Sequence, residues 1–330
     1  MSISKVVVSA MLMAAVLDPG IVAAQGSAQP AYPSRTVTMV VPFTSGGPND
    51  SEFRLFQPRL QESTKQSFVF DFKPGATSTI GVGYVAKAAP DGYTLLLTNG
   101  SMTIHPNFYP DLPYDVARSF EPVIQLTERY TVLMASTTAL PNVHSLADLV
   151  AYGKANPGKL NCGDAGAGGI THIACVSLST AIGIPFTAVH YKGVSQGLID
   201  VIAGRTQLTA GTIFVGLPAI KAGQLRPIVA MNTVRSKIFP ELKTAMELGY
   251  DVEYPTWLGV YAPAGTPVPI VRRLNNEMAA AARLPEAMSK LEAQGTFVVA
   301  STPEVFRQKT LSELARWKKI IQEKNIKAEE

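Results

Sequence analysis

Strand-like and helix-like stretches alternate along most of this chain, and that alternation restricts its fold more than any other feature. Short runs rich in branched apolar residues occur at Thr36–Val41, Ser67–Asp71, Thr94–Thr98, Val123–Gln125, Val132–Ala135, Leu160–Cys162, Thr187–Val189, Leu208–Ala210, Ile228–Met231 and Gly259–Tyr261. Helix-patterned stretches separate most of them: Ser51–Glu62, Ile80–Lys87, Ser145–Asn156, Ile170–Ala181, Gln196–Ala203, Leu217–Ala222 and Val268–Ala282. Parallel strands need long crossover connections, usually helices, so this order predicts α/β architecture with mostly parallel sheets flanked by helices. Local punctuation agrees. Ser145-Leu146-Ala147-Asp148 opens one helix in the manner of a capping box, and Asn156-Pro157-Gly158 closes it. Thr302-Pro303-Glu304 opens the last helix with proline at its first position.

With 330 residues, 46% of them hydrophobic, the chain can bury two cores of ordinary size. No linker-like break in composition divides it, so the two domains are expected to be interleaved rather than consecutive. The 24 prolines and 16% charged residues argue against coiled coil and bulk disorder. A net charge of +4 is small and dispersed, with no basic stripe, so nucleic acid is not an expected partner. Lys318, Lys319, Lys324 and Lys327 read as a solvated helix face.

Residues 1–24 read as a secretion signal. Lys5 supplies the positive end, Val6–Leu17 the apolar run, and Val22-Ala23-Ala24 the small residues before cleavage, with Asp18-Pro19-Gly20 breaking any helix. No later apolar run approaches the ~20 residues of a membrane span. The expected location is the periplasm. An oxidising compartment makes a disulfide between Cys162 and Cys175 one reading, and two buried small residues the other. Spacing alone leaves both open.

Three glycine-bearing loops invite chemistry. Gly193-Val194-Ser195-Gln196-Gly197 matches the nucleophile elbow of serine hydrolases, lying between a strand and a helix. In that fold the histidine follows the serine, whereas His105, His144, His172 and His190 all precede Ser195. A structural turn is the better reading, and an exported serine hydrolase with a non-standard site at Ser195 is the distant alternative function. No catalytic residue is assigned. Neither dinucleotide nor phosphate-loop fingerprints occur, and the histidines are scattered without metal-ligand spacing, so no cofactor and no metal site is expected. Phe43-Thr44-Ser45-Gly46-Gly47 and Ala165-Gly166-Ala167-Gly168-Gly169 remain. Each leads into a helix, whose unpaired N–H groups and positive end suit a carboxylate.

The segments YPSRTVTMVVPFTSGGPND, KPGATSTIGVGYVAKAAPDGYTLLLTNG, LPYDVARSFEPV, VHYKGVSQGLIDVIAGRTQ, LPAIKAGQLRPI and WLGVYAPAGTP occur in this order. Together they resemble the substrate-binding receptors of tripartite tricarboxylate transporters, the TctC or Bug family, over Tyr32 to Ile326. The resemblance implies a two-lobed periplasmic-binding-protein fold of the Venus flytrap type, with two interlobe crossings and no enzymatic activity. Lobe one would comprise residues 32–129 and 255–330, and lobe two residues 130–254. It implies a monomeric receptor for a small anionic carboxylate, feeding membrane transporter subunits or a sensor kinase. Carried over, the ligand-binding set is Phe43, Thr44, Ser45, Gly46 and Gly47 in the first loop and Asn99 after the third strand. In lobe two it is Ala165, Gly166, Gly168, Gly169, Thr171 and His172, with Gly211 and Thr212 at the turn where the family commonly has an acid. Without that acid, a ligand ammonium loses its obvious partner.

Overall fold

The computed structural model describes residues 32–166, 169–191, 194–254 and 256–323. The segment read as a secretion signal lies outside them. In chain order the elements are β1 (Val37–Val41), α1 (Pro48–Thr64), β2 (Phe68–Phe72), α2 (Thr79–Ala86), β3 (Thr94–Asn99), α3 (Ser101–Ile104), β4 (Phe120–Arg129) and β5 (Thr131–Ser136). Then come α4 (Leu146–Ala155), β6 (Asn161–Asp164), α5 (Ile170–Ile182), β7 (Thr187–His190), α6 (Val194–Ile202), β8 (Leu208–Thr212), α7 (Ile213–Lys221) and β9 (Leu225–Ala230). The chain ends with β10 (Thr256–Pro263), α8 (Val268–Ala282), α9 (Pro285–Glu292), β11 (Thr296–Val298) and α10 (Pro303–Glu323). The expected caps are present: Ser145 accepts a hydrogen bond from Asp148 N–H at the start of α4, and α10 opens on Pro303.

Two sheets form, one per lobe. The first has six strands in the order β11-β4-β10-β3-β1-β2, the second five in the order β7-β6-β8-β5-β9. The expectation of mostly parallel sheets holds for the strand–helix–strand units, where β1 pairs with β2 and β3, and β6 with β7 and β8, all parallel. The whole sheets are mixed. The first strand after each passage between sheets runs antiparallel to both its neighbours: β5 to β8 and β9, and β10 to β3 and β4. Strands of the repeating units end at the interlobe side, whereas β5 and β10 begin there, so their direction is reversed.

Only Tyr130 separates β4 of the first sheet from β5 of the second, and the chain returns between Ala230 and Thr256. Asn232 ties the two passages together. Its Oδ1 accepts from Thr131 N–H at 2.7 Å and its Nδ2 donates to Arg129 C=O at 3.1 Å, fully buried. Helix α10 also reaches both cores. Phe306 packs with Trp257 and Tyr261 against the first sheet, whereas Trp317 and Ile321 join the core formed around Leu133, Leu160 and Leu208 of the second.

Candidate functional site

A cavity of about 440 Å³ lies where the two sheets face each other. The first lobe contributes Phe43, Thr44 and Gly47 after β1, the first turn of α1, Asn99 at the end of β3 and Arg129 at the end of β4. The second contributes Thr131 at the start of β5, Ala165 after β6, Thr171 and Ala174 on α5, and Gly211 and Thr212 at the end of β8. Tyr254 and Thr256 stand on the returning passage. This follows from the topology: loops after parallel strands gather at one edge, and helix N-termini point into the space they enclose.

The first loop turns through Gly46 at φ +83°, a conformation that favours glycine, and Gly46 N–H donates to Asp50 Oδ2 at 3.1 Å. Proline at the start of α1 removes one donor that would otherwise lack a partner. Behind this turn Arg129 is buried. Its Nε donates to Glu52 Oε1 at 2.5 Å and its Nη2 to Asn49 Oδ1 at 2.9 Å. Glu52 also accepts from Thr127 Oγ1 at 2.7 Å. The guanidinium has five N–H groups, so donors remain on the side that lines the cavity.

The second loop is held at both ends. Asp164 Oδ1 accepts from Gly166 N–H at 2.8 Å, and Thr171 Oγ1 accepts from Ala165 N–H at 2.9 Å. Among the described residues no acceptor takes the Thr171 proton, which stays available to a ligand. Cys162 and Cys175 form a disulfide with Cα atoms 6.4 Å apart, joining β6 to α5 around this loop.

Polar atoms along the passages are short of partners. Thr131 Oγ1, Tyr254 OH, Thr256 Oγ1 and Asp50 Oδ1 are buried with no hydrogen bond among the described residues. Each such group costs about 1–3 kcal/mol when unsatisfied, so four around one cavity mark a place built to receive a polar ligand or water. Burial, and secondarily the Glu313 charge, pushes the Tyr254 hydroxyl well above its ordinary pKa, so it stays protonated and can donate. Phe43, Pro48, Ile170, Ala174 and Val215 give the rest of the wall an apolar character.

Of the residues assigned from sequence, Phe43, Thr44, Gly47, Asn99, Ala165, Thr171, Gly211 and Thr212 line the cavity. Ser45, Gly46, Gly166 and Gly169 belong to its loops without lining it. Gly168 lies outside the described residues, as do Gly193 and the Ser195 side chain. Asn99 also has a structural task, since its Oδ1 accepts from Ser101 N–H at 3.0 Å. His172 is buried behind the loop, its ring edge-on to His190 at 4.8 Å between centroids. The sequence reading missed Asn49, Asp50, Arg129, Tyr254 and Thr256. Asp50 puts a carboxylate in the cavity although Gly211 offers none. Its place in the first helical turn after the glycines was the available signal; Arg129 had none, since polar residues interrupt the strand that it ends.

A family model described as the tripartite tricarboxylate transporter family receptor matches residues 53–326. The chain is similar to protein BugT of Bordetella pertussis, 31% identical over 90% of this chain and 91% of BugT. Among solved structures, a Rhodopseudomonas palustris protein with adipate is 34% identical, covers 90% of this chain and 99% of its own, and superposes with a TM-score of 0.79. MatC from the same organism, solved with bound malate, is 29% identical over 88% of this chain and 100% of its own, with a TM-score of 0.76.

Proposed function

The chain belongs to the tripartite tricarboxylate transporter family of receptors, and on that premise we propose that it is a periplasmic solute-binding receptor, not an enzyme. Residues 1–24 direct export, and the mature monomer captures a small carboxylate between lobe one (residues 32–129 and 255–330) and lobe two (residues 130–254). The bound solute is passed to a tripartite tricarboxylate-type transporter or presented to a sensor. The observation that carries this reading is the single cavity edged by both glycine-bearing loops and by the buried Arg129.

In this reading the carboxylate accepts from Arg129, from N–H groups of the two loops and from the Thr171 hydroxyl. The apolar wall covers the ligand's carbon body, which suits an aliphatic or aromatic acid. Each charge-assisted bond contributes roughly 1.5–3 kcal/mol. Three or four, less the cost of association, reach about −8 kcal/mol, a micromolar ligand. A ligand touching both lobes stabilises the closed form through its greater affinity for it. The hydrolase alternative at Ser195 has no histidine after the serine to serve as base.

The test is a thermal-shift screen of mono-, di- and tricarboxylates, with adipate and malate included because similar proteins were solved with them. Calorimetry and small-angle scattering follow on the best compound, and ester turnover is assayed in parallel. Micromolar binding with compaction is expected. Turnover of an ester without carboxylate binding would overturn the proposal.

A further inference from the structure

Behind the second cleft loop, three potential metal ligands converge from three elements. Asp164 is the last residue of β6 and is the register partner of His190, the last residue of β7. His172 stands in the first turn of α5. One carboxylate oxygen and one ring nitrogen from each histidine all lie within 4.8 Å of one another. We propose that Asp164, His172 and His190 form a binding site for a divalent transition-metal ion, with Zn2+ the ion best suited.

The donor set carries the choice of ion. Two imidazoles and one carboxylate match Zn2+ and its borderline neighbours Co2+, Ni2+ and Cu2+, whereas Mg2+ and Ca2+ take shells made of oxygen. Ligand atoms about 2.0–2.2 Å from a tetrahedral zinc ion stand roughly 3.2–3.5 Å apart, so side-chain rotations of about 1–1.5 Å complete the set. Asp164 supplies an independent sign. Its Oδ1 accepts from Gly166 N–H and meets His190 Nδ1, each at 2.8 Å, but its Oδ2 is buried with no hydrogen bond among the described residues. A buried carboxylate oxygen without a donor is costly, and a cation is a partner that would satisfy it with a ring nitrogen of each histidine within 4.8 Å.

The frame is held in advance. The β6–β7 ladder fixes Asp164 beside His190, and the Cys162–Cys175 disulfide fixes α5, hence His172, against β6. The His190 side chain is 23% exposed, which gives an ion a way in. Three protein ligands leave one position of a tetrahedral ion for a water molecule. None of the three lines the cleft cavity, yet Asp164 and His172 bracket the loop Ala165–Thr171 that does. A bound ion would therefore pin that loop from behind, without being part of the carboxylate contact.

The test uses untagged full-length protein stripped with a chelator and titrated with ZnCl2 alone. One equivalent should bind, the melting temperature should rise, and Asp164→Asn and His190→Gln should each weaken binding roughly 100-fold or more, since each removes a ligand. Should the variants fold poorly, the wild type decides by NMR. Of its four imidazoles, those of His172 and His190 should shift on adding Zn2+, while those of His105 and His144 should not. No uptake, uptake unchanged in the variants, or a shift confined to His144 would overturn the proposal.

Discussion

Arg129 and Glu52 form a buried ion pair, Nε to Oε1 at 2.5 Å, at the wall of the cleft cavity that Arg129 lines. Glu52 sits on α1 and Arg129 ends β4, so the pair fastens the first cleft loop to the strand that crosses between lobes. Breaking one partner of such a pair leaves a buried charge uncompensated, which costs about 3–5 kcal/mol. Glu52→Gln should lose that much stability in urea unfolding. The double change Glu52→Met with Arg129→Met should recover most of it while carboxylate binding is lost. Wild-type stability in Glu52→Gln would show the pair to be of no consequence.

Glu313 should make stability fall as pH rises. It is buried, accepts from Trp257 Nε1 at 2.9 Å, and is held up to a pKa of about 7 by burial, despite Lys309 at 3.7 Å. The Thr103 hydroxyl, 2.8 Å from Gly100 C=O and 3.1 Å from Glu313 Oε2, donates to the carboxylate and, like Trp257, opposes the upward shift that burial imposes. The folded state keeps the carboxyl proton where the unfolded state, near 4.5, has lost it. The contribution is thus full below pH 4.5 and lost progressively up to about pH 7, worth about 3 kcal/mol at 1.36 kcal/mol per unit. Glu313→Gln should match the wild type at pH 4.5 and exceed it at pH 8 in thermal melts. Equal melting temperatures at pH 8 would contradict this.

The Cys162–Cys175 bond closes a loop that contains the second glycine-bearing loop of the cleft. A loop of about this length is associated with roughly 3 kcal/mol of stabilisation, mainly through the unfolded chain. Thiol labelling of denatured, unreduced protein should find neither cysteine free. Replacing both with alanine should lower stability by about 2–4 kcal/mol and weaken the carboxylate by loosening Ala165–Thr171. Unchanged affinity in that variant would mean that the loop is held by its hydrogen bonds alone.

Much of the architecture was legible because local pattern and fold agree. The runs around Val37–Val41 and Leu208–Thr212 and the α5 helix lie close to where periodicity puts them. The long β4 strand was seen only at its centre, because Glu121, Gln125 and Glu128 interrupt its apolar pattern; Arg307 pairs with Glu121, Lys309 with Glu128, and the Gln125 amide donates to Glu128 Oε2. That is why Arg129, at its end, escaped notice. The antiparallel entry of β5 and β10 depends on which lobe the chain arrives from, which no window of sequence contains. Asp164 and His190 are 26 residues apart and meet only through the register of β6 on β7. Reading the histidines as scattered was correct in sequence and uninformative in space.

If the cavity recognises the charge of a carboxylate, an acid and its amide should bind very differently. The tightest acid from the screen and its primary amide, nearly identical in shape, are titrated into the wild-type protein by calorimetry. Loss of one charge-assisted bond should weaken the amide about ten- to a hundredfold, and loss of two correspondingly more. Thr171→Val should weaken the acid by at least about ten- to a hundredfold, since it removes one hydroxyl donor to the ligand and also the acceptor that holds Ala165 N–H. An amide that binds as tightly as its acid, with Thr171→Val without effect, would show that the cavity does not read carboxylate charge.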